Sequence, residues 1–285
     1  MRFSINLRSL AGCLLLIGLV GACKNNGTDP TPANTTSGRK CVVNALDYKV
    51  DVNVGSSVVS MSVNAALTYN ASNQLSTITT RYVIGGFGTF SNTDDITYST
   101  GKIEVKTNAS AQDMDGILSS TYTLNGAGLI TKKEDVMEGS GTTSLTLTTS
   151  YEYDRDGYRV RDVLSDGSAV AYAYANGNLT TVTTFDSKGA KEDVFALTYY
   201  EDRRSNTELV GGASAESAFQ AAGLFGKASR NPVKTVTAQT TPGQPISFTY
   251  VYDADNNIIT ATQTQPAGSQ TNPVVFKINY AYSCR

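Results

Sequence analysis

Strict alternation of apolar and polar residues is the feature that most limits how this chain can fold. It runs through most of the sequence after residue 41, and it is clearest at residues 46–54, 61–69, 246–252 and 276–282. Successive side chains of a strand point to opposite faces, so the alternation predicts strands with one buried face. Such strands are typical of antiparallel sheets.

The turns between these strands recur. Six times a tyrosine is followed by a polar turn rich in Asn, Asp or Gly and then by a strand that opens with Leu, Ile or Val; these units begin at Tyr69, Tyr98, Tyr122, Tyr153, Tyr174 and Tyr252. Asn, Asp and Gly suit tight turns because they tolerate positive φ. We therefore predict an all-β fold, an antiparallel up-and-down meander of about a dozen strands curled into a barrel-like sheet, since closure removes exposed edges.

The alternation also assigns a face to many tyrosines. We expect those on the apolar side to fill the core, although an exposed tyrosine could instead stack on a sugar. The tyrosines on that side are Tyr69, Tyr151, Tyr153, Tyr172, Tyr174, Tyr250, Tyr252, Tyr280 and Tyr282.

One segment departs from the strand pattern. Small and aromatic residues recur at helical spacing from Ala215 to Phe225, with Ser214 as N-cap and Gly226 as the stop. This predicts one short helix near residues 214–226. The sheet must cover its apolar stripe, with the helix either plugging the curl or packing on the surface.

The N-terminus has the parts of an export signal. Arg2 and Arg8 precede an apolar run at residues 10–20 that is too short to span a bilayer. The ending VGAC at residues 20–23 resembles the bacterial lipobox, and this resemblance implies cleavage before Cys23, with a diacylglycerol thioether and an acylated amine on that residue. The alternative is an ordinary secretory signal with an incidental cysteine.

Residues 24–40, KNNGTDPTPANTTSGRK, contain no large apolar side chain. We predict a disordered tether with a reach of about 20–25 Å. The predicted organisation is a signal peptide at 1–22, lipidated Cys23 and its tether at 23–40, and a single repeat-built β domain at 41–285. Lys24 is not the aspartate that signals inner-membrane retention in the enteric sorting system, which favours an outer-membrane lipoprotein.

Cys41 and Cys284 stand near the two ends of the patterned region. They are the cysteines that remain after Cys13 leaves with the signal and Cys23 is acylated. An oxidising envelope favours a disulfide over two free thiols. The bond requires Cα atoms within about 7 Å and makes the first and last strands neighbours.

Composition excludes several functional classes. The chain has no histidine, which excludes Ser-His-Asp and Cys-His nucleophile systems and imidazole metal sites. The formal charge of −2 becomes −4 when Arg2 and Arg8 leave with the signal, so the chain has no basic footprint for nucleic acid. We predict no cofactor.

One turn has some character of a calcium loop. Asp253, Asp255 and Asn257 occupy its first, third and fifth positions, but Ile258 and Thr264 stand where glycine and glutamate are needed. Hairpin turns select the same polar residues, so we interpret the segment as a turn, with a weak calcium site as the alternative.

Two further patterns resemble catalytic motifs. Ser99 and Lys102 fit the S-x-x-K nucleophile motif but fall in a predicted hairpin turn. Adjacent carboxylates occur at 94–95, 134–135 and 201–202, and a glycosidase needs two facing each other about 5–10 Å apart. Neighbouring strand residues point to opposite faces, so we interpret these pairs as solvated.

The chain resembles two known groups. Residues 151–158, YEYDRDGY, resemble the YD repeat of Rhs-type shell proteins. Residues 41–285 resemble more closely an uncharacterised family of envelope lipoproteins from gut-type Gram-negative bacteria, through the lipobox, the opening cysteine, the tyrosine turns, LFGKASRNP at 224–232 and the closing Tyr-Ser-Cys. That resemblance implies a porin-like fold and brings no established activity.

The leading hypothesis is therefore a lipid-anchored, non-enzymatic envelope protein that acts as a scaffold or binds a glycan, a peptide or another envelope protein. A transmembrane β-barrel with an apolar outer face is one alternative. A carbohydrate-active enzyme with two inward carboxylates over a cleft is the other.

Overall fold

The computed structural model describes residues 41–54, 57–86, 88–109, 116–138, 144–203, 214–240, 243–266 and 273–284. Within them lie sixteen β-strands and one α-helix. The strands are β1 Cys41–Val54, β2 Ser57–Tyr69, β3 Leu75–Ile84, β4 Gly88–Ser99, β5 Lys102–Ala109, β6 Ile117–Leu124, β7 Ile130–Glu138, β8 Ser144–Tyr153, β9 Arg159–Leu164, β10 Ala169–Ala175, β11 Asn178–Phe185, β12 Lys191–Tyr199, β13 Val233–Ala238, β14 Ile246–Tyr252, β15 Ile258–Gln265 and β16 Val274–Cys284. Helix α1, Ala215–Ala221, lies between β12 and β13.

The strands form one closed antiparallel barrel. Each pairs with its neighbours in the chain, and β1 pairs with β16 to complete the wall. The predicted all-β meander and its closure are confirmed, with sixteen strands where about a dozen were predicted. The six tyrosine turns join twelve of these strands in pairs, and the four strands outside those pairs are β1, β12, β13 and β16.

The predicted disulfide closes the seam. Cys41 lies opposite Cys284 in the β1–β16 register, with a Cα–Cα distance of 3.9 Å, and the two sulfurs are bonded. All the strand pairings of the described residues lie within 41–284. In the described part of the chain, the wall is thus complete without a strand from outside these residues.

The two ends of the barrel differ. We call the end with Cys41 and Cys284 the disulfide end, and the other the distal end. Because consecutive strands run in opposite directions, every turn that follows an even-numbered strand lies at the disulfide end. All six tyrosine turns of the repeat are among them.

Four of these turns share one hydrogen-bond pattern. The Oδ1 atom of the first residue accepts the backbone N–H groups two and four residues later, and the fourth residue has positive φ. The first residues are Asn70, Asn125, Asp154 and Asp253, and the fourth are Asn73, Gly128, Gly157 and Asn256. This geometry explains why the repeat uses Asn, Asp and Gly at these positions.

Tyrosines fasten neighbouring strands at the disulfide end, and two of them, Tyr69 and Tyr153, belong to the repeated turns. In five places a tyrosine hydroxyl near the end of one strand donates to a backbone carbonyl at the start of the preceding strand, at 2.5–2.9 Å. The pairs are Tyr69 with Val43, Tyr153 with Ile130, Tyr199 with Leu179, Tyr250 with Val233, and Tyr282 with Ile258. Every accepting residue has a fully buried aliphatic side chain, so each tyrosine hydroxyl satisfies a carbonyl that water does not reach.

Helix α1 plugs the disulfide end. Ser214 caps it by accepting the N–H of Ser217, as predicted, but the helix ends at Ala221 because Gly223 adopts a φ of 76°. The predicted helix to residue 226 is therefore too long. The ring of Phe219 is buried edge-on against Tyr98 and Tyr122, whose side chains face the barrel interior.

The segment after the helix, residues 224–232, forms a strap across the same end. Its backbone bonds in turn to Ile130, Gly157 and Gly177 in three successive turn regions, and then to Tyr200. The LFGKASRNP sequence thus holds the plug and the turns together.

The barrel interior next to the plug is filled. Two hydrophobic clusters occupy it: one unites α1 with β1–β8, β15 and β16, and the other lies on β10–β14. All nine tyrosines assigned to the inner face belong to these clusters or pack against them, as predicted. Among the described residues, none of the helical structure has the length and apolar character needed to cross a membrane.

The outer face of the wall is polar. Charged side chains alternate with buried inward residues along the strands and are exposed to solvent. Examples are Lys49, Arg81, Lys106, Glu152 and Lys277.

We predict that Tyr153→Phe destabilises the barrel by about 1–3 kcal/mol, because the enclosed carbonyl of Ile130 loses its donor. Tyr280→Phe is the matched control, since its buried hydroxyl has no partner in the structure and its removal leaves no group unpaired. Denaturant unfolding of both variants measures the difference. Equal losses in the two variants would contradict the role assigned to the repeated tyrosines.

Candidate functional site

Inward-facing charged residues on β7 and α1 form the first part of an inner polar network. Lys133 Nζ lies 3.0 Å from Asp135 and 3.3 Å from Glu216 of the helix, so it joins the plug to the wall. Asp135 also accepts the hydroxyl of Ser120. Lys133 Nζ lies 5.8 Å from the centre of the Tyr122 ring, and the same ring makes a T-shaped contact with Phe219 of the plug.

Arg159 and Asp162 of β9 form the second part. The two residues are buried and paired at 3.4 Å, and the hydroxyl of Tyr172 donates to Asp162 at 2.6 Å while accepting from Arg159. The Arg159 guanidinium also lies 4.9–5.7 Å from the ring centres of Tyr151, Tyr172 and Phe225. Buried charge is tolerated here because each group has a partner.

The surroundings shift the pKa values of these groups. Burial alone would lower the pKa of Lys133, but Glu216 and Asp135 more than compensate and raise it. Burial of Arg159 is likewise outweighed by Tyr172 and Asp162, and its pKa rises. For Asp162 burial is the larger influence, so its pKa is raised despite Arg159.

A small cavity of about 10 Å³ lies beneath the strap, between Arg159, Tyr172 and Phe225 on one side and residues 226–229 on the other. Its volume is that of a single water molecule. At this end of the network the packing leaves no room for a larger ligand.

Towards the distal end of the same wall, inner-face residues of the described chain are exposed. Leu147 and Leu145 share the inner face of β8 with Tyr151, and Leu164 lies opposite Thr149 on that face. Their exposed fractions are 42%, 53% and 39%. Leu118, 48% exposed, stands beside them at a β-bulge of β6. These four residues, the distal leucines, form an apolar rim above the polar network.

The structure shows a second concavity on the outside. A groove of about 260 Å³ lies over the outer faces of β9–β11, with Ala169, Ala171 and Phe185 in its lining and Arg161 at one side. Ligand pockets commonly measure about 300–1,000 Å³, so this groove is small for the purpose.

The suspected calcium residues form a turn. Asp253 Oδ1 accepts the N–H groups of Asp255 and Asn257, and Oδ2 accepts the Asn257 side-chain amide. The same pattern forms around Asn70 and Asn125, which carry no carboxylate. Among the described residues, no three His, Cys, Asp or Glu side chains gather where a metal could bind.

The S-x-x-K serine is likewise part of a hairpin. Ser99 pairs with Lys102 across the β4–β5 turn and donates to its carbonyl, while Lys102 forms an ion pair with Glu104.

The adjacent carboxylates on strands point to opposite faces, as predicted, but Asp135 is not solvated, because it lies inside the barrel against Lys133. Asp94 accepts a hydrogen bond from the inward-facing Thr107, whereas Asp95 accepts one from Asn108. Glu134 forms an ion pair with the outward-facing Lys132, whereas Asp135 faces inward. Glu201 and Asp202 are exposed in a turn. Cys23 and the other N-terminal residues lie outside the described part of the chain.

Sequence reasoning missed the polar network. Lys133, Arg159, Asp162 and Glu216 occur on three different elements, and no spacing along the chain links them. A signal was present in β7 and β9, where charged residues fall at positions that the neighbouring strands fill with tyrosine or leucine.

The protein is a closed antiparallel barrel that is plugged at one end and packed with apolar side chains next to the plug. No protein-family model matches the chain, and no curated protein does either. Among solved structures, it is similar to a porin-like protein from Bacteroides uniformis, at 13% identity and a TM-score of 0.64 over 85% of this chain and 96% of the other. It is also similar to a porin-like protein from Bacteroides vulgatus, at 11% identity and a TM-score of 0.50 over 85% of this chain and 98% of the other. At these identities the likeness confirms the porin-like fold and carries no function.

We predict that Arg159→Met destabilises the barrel at neutral pH by about 3–5 kcal/mol, because it leaves Asp162 buried without its cation. The pKa of Asp162 is already higher in the folded than in the unfolded chain, so protonation at acid pH favours folding, and removal of Arg159 enlarges this difference. The deficit should therefore shrink as the pH falls.

Unfolding curves across a pH series measure this dependence. Arg161→Met is the control, since Arg161 is exposed on the outer face of the same strand. A deficit in Arg159→Met that does not change with pH would show that lost packing, and not the uncompensated carboxylate, is responsible.

Proposed function

We propose that the chain is a lipid-anchored protein of the cell envelope whose barrel acts as a non-enzymatic binding or scaffold module. In this proposal Cys23 carries the lipid and residues 24–40 form the tether. Lys24 favours the outer membrane. Candidate partners are a glycan, a peptide or another envelope protein.

The arrangement of the two barrel ends carries the proposal. The tether joins β1 at Cys41, so an anchored barrel has its disulfide end towards the membrane. That end is closed by α1, by the strap and by the tyrosine contacts. The distal end, with its exposed inner leucines, then faces away from the membrane, where a partner can approach.

The polar outer wall argues against the alternative of a transmembrane barrel. A membrane barrel presents an apolar band to lipid, and a Lys or Arg at its midplane costs about 2–4 kcal/mol. Here Lys49 and Lys277 lie opposite each other on β1 and β16, and both are exposed. The apolar side of the strands faces the plug.

The network also bears on the alternative of a carbohydrate-active enzyme. Asp135 and Glu216 both face the interior near one another, as such an enzyme requires. However, both contact the ammonium group of Lys133, which therefore occupies the space between them. The pair is better suited to holding the plug than to attacking a glycosidic bond. Hydrolysis of a glycoside that is abolished by Glu216→Gln would overturn this assignment.

The anchor gives the first test. We expect Cys23→Ala to abolish incorporation of labelled fatty acid into the full-length protein, because no other residue of the lipobox supplies a thiol. Cys13→Ala, within the signal, should incorporate label normally. Label that persists in the Cys23→Ala protein would contradict the anchor.

The barrel gives the second test. Residues 41–285, expressed without the N-terminal segment, should be a soluble monomer in detergent-free buffer, because the wall is polar outside and closed by the disulfide. Size-exclusion chromatography with light scattering measures this. A chain that stays in solution only with detergent would favour the transmembrane alternative.

A further inference from the structure

Three of the distal leucines, Leu145, Leu147 and Leu164, face inward, and nothing in the described chain covers them. Leu145 and Leu147 lie on the same inner face of β8 as Tyr151, which is buried four residues beyond Leu147 towards the disulfide end. Apolar side chains on the inner face of a filled barrel are normally buried, as at the disulfide end. A concave apolar surface left open in this way is typical of a binding site.

The floor below these leucines is charged and partly open to solvent. Lys133 pairs with Thr149 across β7–β8, and Thr149 pairs with Leu164, so the network lies at the level of the deepest leucine. Glu216 contacts Lys133 there, and its side chain is 42% exposed. The charged groups therefore begin at the level where the apolar wall ends.

The floor has an excess of negative charge. The inner polar network contains three carboxylates, Asp135, Asp162 and Glu216, against two cations, Lys133 and Arg159. Asp94 adds a further carboxylate, which acts electrostatically on Tyr122. A ligand that reaches this floor is favoured when its inner end is a cation.

We propose that the distal end binds a small amphipathic amine, with its apolar body against the distal leucines and its ammonium group at Glu216. The length of the wall fits such a molecule. Leu145 lies four residues from Thr149 towards the distal end, a distance of roughly 13 Å along the strand. An alkyl chain of about eight carbons with its ammonium group spans this distance. This assignment rests on the proposed binding role and names its ligand chemistry.

The experiment compares three probes of equal chain length. Octylammonium, octanol and octanoate are titrated calorimetrically, below their aggregation concentrations, into the barrel of residues 41–285. Octylammonium should bind saturably with one site per barrel, and octanoate should bind at least about tenfold more weakly because of the carboxylate floor.

Matched variants locate the site. Glu216→Gln should weaken octylammonium about fivefold and leave octanol unchanged, whereas Glu152→Gln, on the outer face, should change neither. Leu147→Ser should weaken octylammonium and octanol about fivefold, whereas Val275→Ser, equally exposed but on the outer face, should have no effect. Thermal unfolding of each variant shows whether it is folded.

The outcomes separate this inference from the anchor. Absence of saturable octylammonium binding by the folded barrel, octanoate binding as tight as octylammonium, or equal effects of Glu216→Gln and Glu152→Gln would each overturn the amine site. None of these results alters fatty-acid labelling at Cys23 or the solubility of the barrel, which test the envelope role independently.

Discussion

Filling the inside of a sixteen-stranded wall is the constraint on which the rest of the structure depends. Barrels of this strand number commonly enclose an aqueous channel. Here the interior is packed with tyrosine rings from many strands and with Phe219 and Phe225 from the insertion between β12 and β13. Tyrosine suits this task because its ring adds apolar area while its hydroxyl reaches a backbone carbonyl. The same choice places the apolar side inward and leaves the outer wall polar.

The inner polar network follows from the way the plug is held. A helix of seven residues has little apolar surface with which to fix its position. The ion pair between Glu216 and Lys133 adds a directional contact, and Arg159 lies against Phe225 where the strap begins. Charges buried in this way give a defined arrangement more than net stability. They also leave a carboxylate-rich surface at the bottom of the distal opening.

Much of the fold could be predicted from the sequence, because period-two burial and turn chemistry are local. The antiparallel meander, the inward tyrosines, the Ser214 cap and the Cys41–Cys284 bond are of this kind. The strand count was too low because the six tyrosine turns account for only twelve strands, and β1, β12, β13 and β16 lie outside those hairpins. The predicted helix was too long because Phe225 keeps helical spacing after Gly223 has ended the helix. The network itself joins residues as distant as Lys133 and Glu216, and only the closed barrel brings them together.

The bond between Cys41 and Cys284 has a mechanical consequence for a barrel held by its N-terminal side. A pull on the chain before Cys41 would, without the bond, load β1 alone and open its ladder one hydrogen bond at a time. With the sulfurs joined, the load divides between β1 and β16 at the same rim, and the seam between them cannot peel from that end. Force then passes from the two joined strands into their outer neighbours, β2 and β15, and separation of the β1–β16 pair cannot start at the rim where the chain is held.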